Sequence, residues 1–340
     1  MAGPSPAAIV EYRNSPDCGT TSVAAKTAIV IINASARQAG ENPAHRIAEV
    51  FEAVGVKADI VLARTGEEII AAARGAATDP SRRVVVAGGG DGTINAVASQ
   101  LVGTDKTLGI LPLGTLNHFA KDLKIPQDLE AAARTIADGL TMKVDVGEVN
   151  GRYFLNNSSL GIYPGIVAKR EQQQKRGRGK WLALLSAAVR MMHRYPVLFV
   201  RLTTDSAELA RRTAIVFVGN NEYELEGLGM GARSCLNQGQ LHVYVMRDTG
   251  IWGLLRLFFS AVFRKLDQVK EFDAMCTGEL WVDGRRKRLW VALDGEVQKM
   301  ELPLHYQTKP AALRVIVPRI ESQAESVRRM GGYDRTRETD

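Results

Sequence analysis

Between Lys26 and about residue 100, apolar runs of strand length alternate with segments of helical length, and this alternation constrains the fold more than any other feature. The runs are TAIVIIN (27–33), a helical stretch from Pro43 to Val54, KADIVLA (57–63), a helical stretch 67–76, RVVVA (83–87) and a helix beginning near Thr93. Repeated β–α punctuation predicts a parallel sheet with helices on its faces. The first helix is the best marked: Asn42 can cap it, Pro43 suits its first position and Gly55 can end it. A fourth strand, TLGILP (107–112), precedes helical segments near 117–123 and 127–139.

After about Asp145 the texture changes to β-branched, alternating runs such as PVLFVRLTT, RTAIVFVGN, QLHVYVMR, RLWVALDGE and ALRVIVP, broken by helical stretches at 179–195 and 251–268. Many short strands between Gly-bearing or charged turns predict a sandwich. At 340 residues the chain exceeds what one hydrophobic core usually serves. The expected fold class is therefore α/β plus β, with an α/β domain at 27–145, a β-sandwich domain at 146–310, and polar tails at 1–26 and 321–340.

The sharpest local signal is VVVAGGGDGTINAVASQ (84–100), where an apolar strand runs into Gly88, Gly89, Gly90, Asp91, Gly92 and Thr93 before a helix. Glycines let the backbone approach a polyphosphate, and the helix presents its positive end. Asp91 would repel a triphosphate unless Mg2+ sat between them, so the loop predicts magnesium dependence. The plainer reading is a Gly-rich turn ending a strand, with Asp91 merely capping the helix at Gly92. The loop is neither a Walker A sequence nor a complete dinucleotide fingerprint. A second loop, LGILPLGTLNHFAKDL (108–123), places Gly114 and Thr115 just past the next strand. Two such loops at one sheet edge fit the place where ligands settle in open α/β sheets.

Gly-Gly-Asp-Gly-Thr at 89–93, Pro-Leu-Gly-Thr-x-Asn at 112–117, Asp145 with Gly147, and Leu-Asp-Gly-Glu at 293–296 together resemble the catalytic domain of diacylglycerol kinases and the related bacterial lipid kinases and sphingosine kinases. The resemblance spans about 27–318. It implies a nucleotide-binding α/β domain, a sandwich domain for the lipid substrate, a last strand near 311–320 returning to the first domain, and transfer of the ATP γ-phosphate to a hydroxyl of a membrane lipid such as diacylglycerol. It further implies that Asn33, Ser35, Thr65, Gly88 to Thr93, Gly114, Thr115 and Asn117 line the nucleotide, and that Asp91 and Asp145 reach the metal through water. Ser35 and Thr65 could equally be a turn former and a helix cap.

For the lipid hydroxyl a proton acceptor is needed. Glu296 is the expected base, supported by Asp294, with Asp91 completing the catalytic set; the plainer reading of 293–296 is an Asp-Gly hairpin. Three positions depart from the family pattern: His118 stands where an acidic residue is usual, Leu116 where a small one is, and Ala34 where a proline is. In SCLNQGQLHV (234–243), Gln238 precedes Gly239 where some relatives use an aspartate to hold a structural magnesium, which places that second metal in doubt.

A formal charge of +7 favours anionic partners. The cations from Lys169 to Lys180 ahead of Trp181, and a second group from Arg285 to Arg288, suit a peripheral enzyme on an anionic bilayer. No nucleic-acid motif accompanies the charge. Three cysteines without metal spacing, no export signal and no apolar run of about 20 residues predict a reduced, cytoplasmic setting with membrane contact from one side. The alternatives are an NAD kinase, which would share the Asp91 loop, and a catalytically silent lipid- or nucleotide-binding module.

Overall fold

The computed structural model describes residues 21–22, 25–36, 42–161, 198–204, 208–226, 229–233, 236–247 and 272–319. The two helical stretches read at 179–195 and 251–268, and the basic segment 169–180, lie outside the described residues.

The first elements among the described residues are a two-residue strand, β1 (Thr21–Ser22), then β2 (Thr27–Asn33), α1 (Pro43–Ala53), β3 (Lys57–Ala63), α2 (Gly66–Thr78), β4 (Val84–Gly89), α3 (Asp91–Leu101) and β5 (Thr107–Pro112). The helices α4 (His118–Asp122) and α5 (Leu129–Asp138) follow. The strands β2 to β5 are parallel, in the order β3-β2-β4-β5, and every residue of β4 and β5 is buried. Strands covered on both faces read as unbroken apolar runs, which is why VVVA and LGIL show no alternation. α1 begins under the Asn42 side chain, which accepts from the His45 N–H, and Gly55 leaves it at φ +74°. Its buried residues Ile47, Val50 and Phe51 recur at helical spacing.

Thr21 and Ser22 fall inside the stretch read as a tail, yet they pair with Thr141 and Leu140, and the Ala25 N–H donates to the Ala137 carbonyl. A polar composition says nothing about an open sheet edge that can accept such a strand.

Beyond the helices come β6 (Leu140–Val149), β7 (Arg152–Phe154), β8 (Asn157–Gly161), β9 (Leu198–Thr204), β10 (Glu208–Thr213) and β11 (Ile215–Asn220). A small pair, β12 (Tyr223–Glu226) with β13 (Gly229–Arg233), precedes β14 (Leu241–Met246), β15 (Phe272–Thr277), β16 (Glu279–Gly284), β17 (Arg288–Leu293), β18 (Glu296–Glu301) and β19 (Leu304–Val317). One antiparallel sheet runs β15-β14-β11-β8-β17-β18. The other sheet is continuous through the molecule, β10-β9-β16-β19-β5-β4-β2-β3, because β19 is 14 residues long. Its first half pairs with β16, and its second half lies parallel to β5 through Arg314 opposite Thr107. β6 lies antiparallel along most of β19, from Tyr306 opposite Val149 to Val317 opposite Leu140.

Two cores result. The first packs Val30, Ile32, Val86, Ile94, Leu108 and Ile136 around the parallel strands; the second packs Leu160, Val200, Val218, Val243, Val291 and Tyr306 between the antiparallel strands. Among the described residues no helix is long and apolar enough to cross a membrane.

Candidate active site

Because β2, β4 and β5 are parallel, Asn33, Gly89 and Pro112 end at one edge of the sheet. The order β3-β2-β4 makes the gap between β2 and β4 a point where the chain winds in opposite directions, and such points open at the carboxyl edge. Asn33 bridges it: its Nδ2 donates to Thr93 Oγ1 at 3.1 Å, and its Oδ1 accepts from the Ser35 N–H. Ser35 therefore enters through its backbone in a turn, while its side chain is exposed.

Gly90 caps α3 and, being a glycine, supplies no side-chain cap hydrogen bond. α1, α2 and α5 each have such a cap, from Asn42, Thr65 and Asp128. The first-turn N–H groups of a helix favour an anion, and the helix dipole reinforces them. Gly114 lies against the same loop so closely that a Cβ on it would overlap the Gly90 Cα. A Cβ on Gly89 would come within 2.5 Å of the Thr93 side chain, whereas Gly88 has ordinary contacts only. Asn117, 2% exposed and left-handed at φ 51°, knits the second loop: its Oδ1 accepts from the Gly114 N–H, and its Nδ2 faces the Pro112 and Gly114 carbonyls and Gln127 Oε1. The Phe119 N–H donates to Asp91 Oδ1, tying the start of α4 to the glycine loop. Thr115, Leu116 and His118 are exposed on that segment.

Thr65 sits at the same edge but serves α2, where its Oγ1 accepts from the Glu68 N–H while Glu68 Oε2 accepts from the Arg64 N–H. That arrangement resembles a capping box, with Glu68 reaching one residue further back than the cap, and it bears out the helix-cap reading of Thr65.

The β17–β18 turn brings the carboxylates to this edge. Leu293 and Glu296 pair across a two-residue turn in which Asp294 and Gly295 take φ 46° and 90°, the geometry an Asp-Gly hairpin favours. A Cβ built on Gly92 would lie 2.7 Å from Glu296 Oε1, so Glu296 stands over the first turn of α3. Asp294 is differently occupied. Its Oδ2 accepts from Asn95 Nδ2 and the Leu155 N–H, and its Oδ1 accepts from the N–H groups of Asn156 and Asn157. Burial pushes its carboxyl upward, and the four donors oppose that shift. With every acceptor direction filled by a donor, the carboxylate acts as an anchor. Asn95 was not foreseen, since an Asn on α3 reads as an ordinary polar position.

Asp145, expected to reach the metal through water, also takes backbone partners. It is 2% exposed, with Oδ1 accepting from the Ala311 N–H and Oδ2 from the Gly239 N–H, so both oxygens fasten β6 to β19 and to the 236–240 loop. Asn221 Oδ1 accepts from the Gln238 N–H in the same loop. Among the described residues no three His, Cys, Asp or Glu side chains converge as a metal site. Arg285 to Arg288, close to Asp294 in sequence, lie at the opposite end of β17, roughly 20 Å away for a six-residue strand.

The family model described as the diacylglycerol kinase catalytic domain matches residues 27–149, and the one described as the YegS C-terminal NAD kinase beta sandwich-like domain matches 161–317. A protein of Salmonella gallinarum named "Probable lipid kinase YegS" is 28% identical over 257 residues, covering 71% of this chain and 81% of its own length. A "Probable lipid kinase YegS-like" protein of Cronobacter sakazakii is 29% identical over 214 residues, 59% of this chain and 67% of that one. In fold, the chain is similar to a crystal structure of a diacylglycerol kinase from Bacillus anthracis, with a TM-score of 0.62 at 18% identity over 86% of this chain and 97% of that one. The glycine loop at 88–93 and the Asp-Gly-Glu turn thus sit in the two matched halves of a single framework, and the chain belongs to the diacylglycerol kinase catalytic-domain family with its YegS-type sandwich.

Proposed function

We propose that the protein is an ATP-dependent lipid kinase that transfers the γ-phosphate to a hydroxyl of a membrane lipid, diacylglycerol being the first candidate. The observation that carries the reading is the Glu296 carboxylate standing over Gly92, at the end of α3 whose cap residue is a glycine. A phosphate chain on the first-turn amides of α3, flanked by Gly114 and Asn33, would place its terminal phosphorus within reach of a hydroxyl held by Glu296. Most of the acceleration in such transfers comes from positioning and charge neutralisation. Glu296 orients the hydroxyl and accepts its proton as the O–P bond forms and the bond to the ADP oxygen breaks.

Mg2+ supplies charge neutralisation on the phosphate oxygens when bound. It takes few protein ligands and several from phosphate and water, so Asp91 beside the loop is a sufficient protein contribution. Asp145 is not needed for it. Contact with an anionic bilayer belongs to the same reading: Arg285 lies 5.0 Å above the exposed Phe199 ring, a cation and an aromatic suited to a headgroup region.

The test is phosphorylation from labelled ATP with Mg2+ on phosphatidylglycerol vesicles carrying diacylglycerol, ceramide or sphingosine, with NAD in a parallel arm. Transfer to a lipid, abolished by Asp91→Asn and reduced at least ~100-fold by Glu296→Gln, is the expected result. Transfer to NAD alone would make the chain an NAD kinase. ATP binding without transfer to any acceptor would make it a silent binding module.

A further inference from the structure

The proposed mechanism gives Asn95 no task, although its side chain is fully committed. Nδ2 donates to Asp294 Oδ2 at 2.5 Å and faces the Tyr153 carbonyl at 3.4 Å, while Oδ1 accepts from Ser99 Oγ at 3.0 Å. Two acceptors at one end and a hydroxyl donor at the other fix which way the amide points. Asn95 stands on α3, two residues beyond Thr93, whereas Asp294 stands on the turn between β17 and β18.

We propose that Asn95 is a positioning residue: through Asp294 it registers the β17–β18 turn against α3 and so sets where Glu296 meets the acceptor hydroxyl. This rests on the kinase reading above. The other three donors to Asp294 are the N–H groups of Leu155 and Asn156, between β7 and β8, and of Asn157, the first residue of β8, and the Asp294 N–H returns to the Asn157 carbonyl. Those four bonds hold the turn to its own sandwich. Of the donors to Asp294, Asn95 is the one on the helix that carries the glycine loop. Removing its amide leaves the turn folded but frees it to shift along α3. The turn has two residues, both at positive φ, so Glu296 moves with Asp294 as a unit. A misplacement of about 1 Å at a reacting group costs on the order of 100-fold in rate.

The experiment uses the full-length chain with labelled ATP, Mg2+ and phosphatidylglycerol vesicles carrying diacylglycerol, and compares Asn95→Ala, Glu296→Gln and the double variant. Asn95→Ala is expected to lower kcat about 10- to 100-fold with the KM for ATP changed less than about twofold. In the double variant the loss should equal that of Glu296→Gln alone, because a group that acts through Glu296 has nothing left to position. Amide hydrogen exchange supplies a readout independent of turnover: Gly295 and Glu296 should exchange faster in Asn95→Ala, with the strands of the α/β half unchanged. If Asn95→Ala fails to fold, Ser99→Ala, which removes only the hydroxyl that orients the amide, should give the same pattern at smaller amplitude.

Losses that multiply in the double variant, a raised ATP KM at unchanged kcat, or unaltered exchange at Gly295 and Glu296 would each overturn the positioning role while leaving the kinase reading intact. Absence of lipid phosphorylation by the unsubstituted protein would overturn the kinase reading, and the exchange data would then still decide whether Asn95 fastens the turn.

Discussion

Glu296 and Gly92 meet at the first turn of α3, with the space a Cβ would fill on Gly92 lying 2.7 Å from Glu296 Oε1. The atom in the way is the far end of a flexible side chain, so Gly92→Ala is cheap for the fold and costly for the proposed chemistry. The variant should melt within about 2 °C of the parent yet lose at least ~10-fold in lipid phosphorylation as Glu296 turns away. Thermal melts beside the vesicle assay check this; an active Gly92→Ala enzyme would remove Glu296 from the role of base.

Gly114 behaves in the opposite way. A Cβ there overlaps the Gly90 Cα and crowds Asn117 Oδ1, and neither the backbone nor a side chain tied to three partners can step aside. Gly114→Ala should therefore force the two loops apart, with a stability loss of about 1–3 kcal/mol in urea denaturation. Titration with a fluorescent ATP analogue should show weakened nucleotide binding, which Gly92→Ala should largely retain.

The difference between what residue order disclosed and what it concealed is physical. TAIVIIN and TLGILP were readable to their ends because buried parallel strands are continuous apolar runs, and α1 because Asn42 and Pro43 mark its start and Gly55 its end. The glycine loop was readable because close approach demands missing Cβ atoms. The partners of Asp294 and Asp145 were hidden for one common reason: both carry acidic side chains in motif positions, but the backbone N–H groups that they accept from come from segments far away in sequence. Asn95 was overlooked on the same ground, its partner lying 199 positions further on.

Asp145 illustrates how that distinction can be measured. Its two oxygens each take a backbone N–H, from Ala311 and from Gly239, so Asp145→Asn would turn an amide NH2 toward one of them. A buried donor left facing a donor costs about 1–3 kcal/mol. The expected result is a lowered urea midpoint that is equal with Mg2+ and with a chelator. A loss that appears only in the presence of Mg2+ would restore the metal-linked role.

His242 gives the fold a dependence on pH. It is 8% exposed on β14, with Nδ1 3.3 Å from Cys276 Sγ on the strand opposite, and its Nε2 is buried without a partner among the described residues. Burial holds its pKa below the ordinary value of 6.5, with Glu222 pulling the other way, so the folded protein resists a proton that the unfolded chain accepts. A depressed value means the stability contribution is complete above about 6.5 and is lost as pH falls from there toward the folded value. Urea midpoints measured from pH 7.5 down to about pH 5 should decline, and His242→Phe, which fills the site without a titrating group, should flatten that part of the curve. An equally steep decline in the variant would assign the acid sensitivity to other groups.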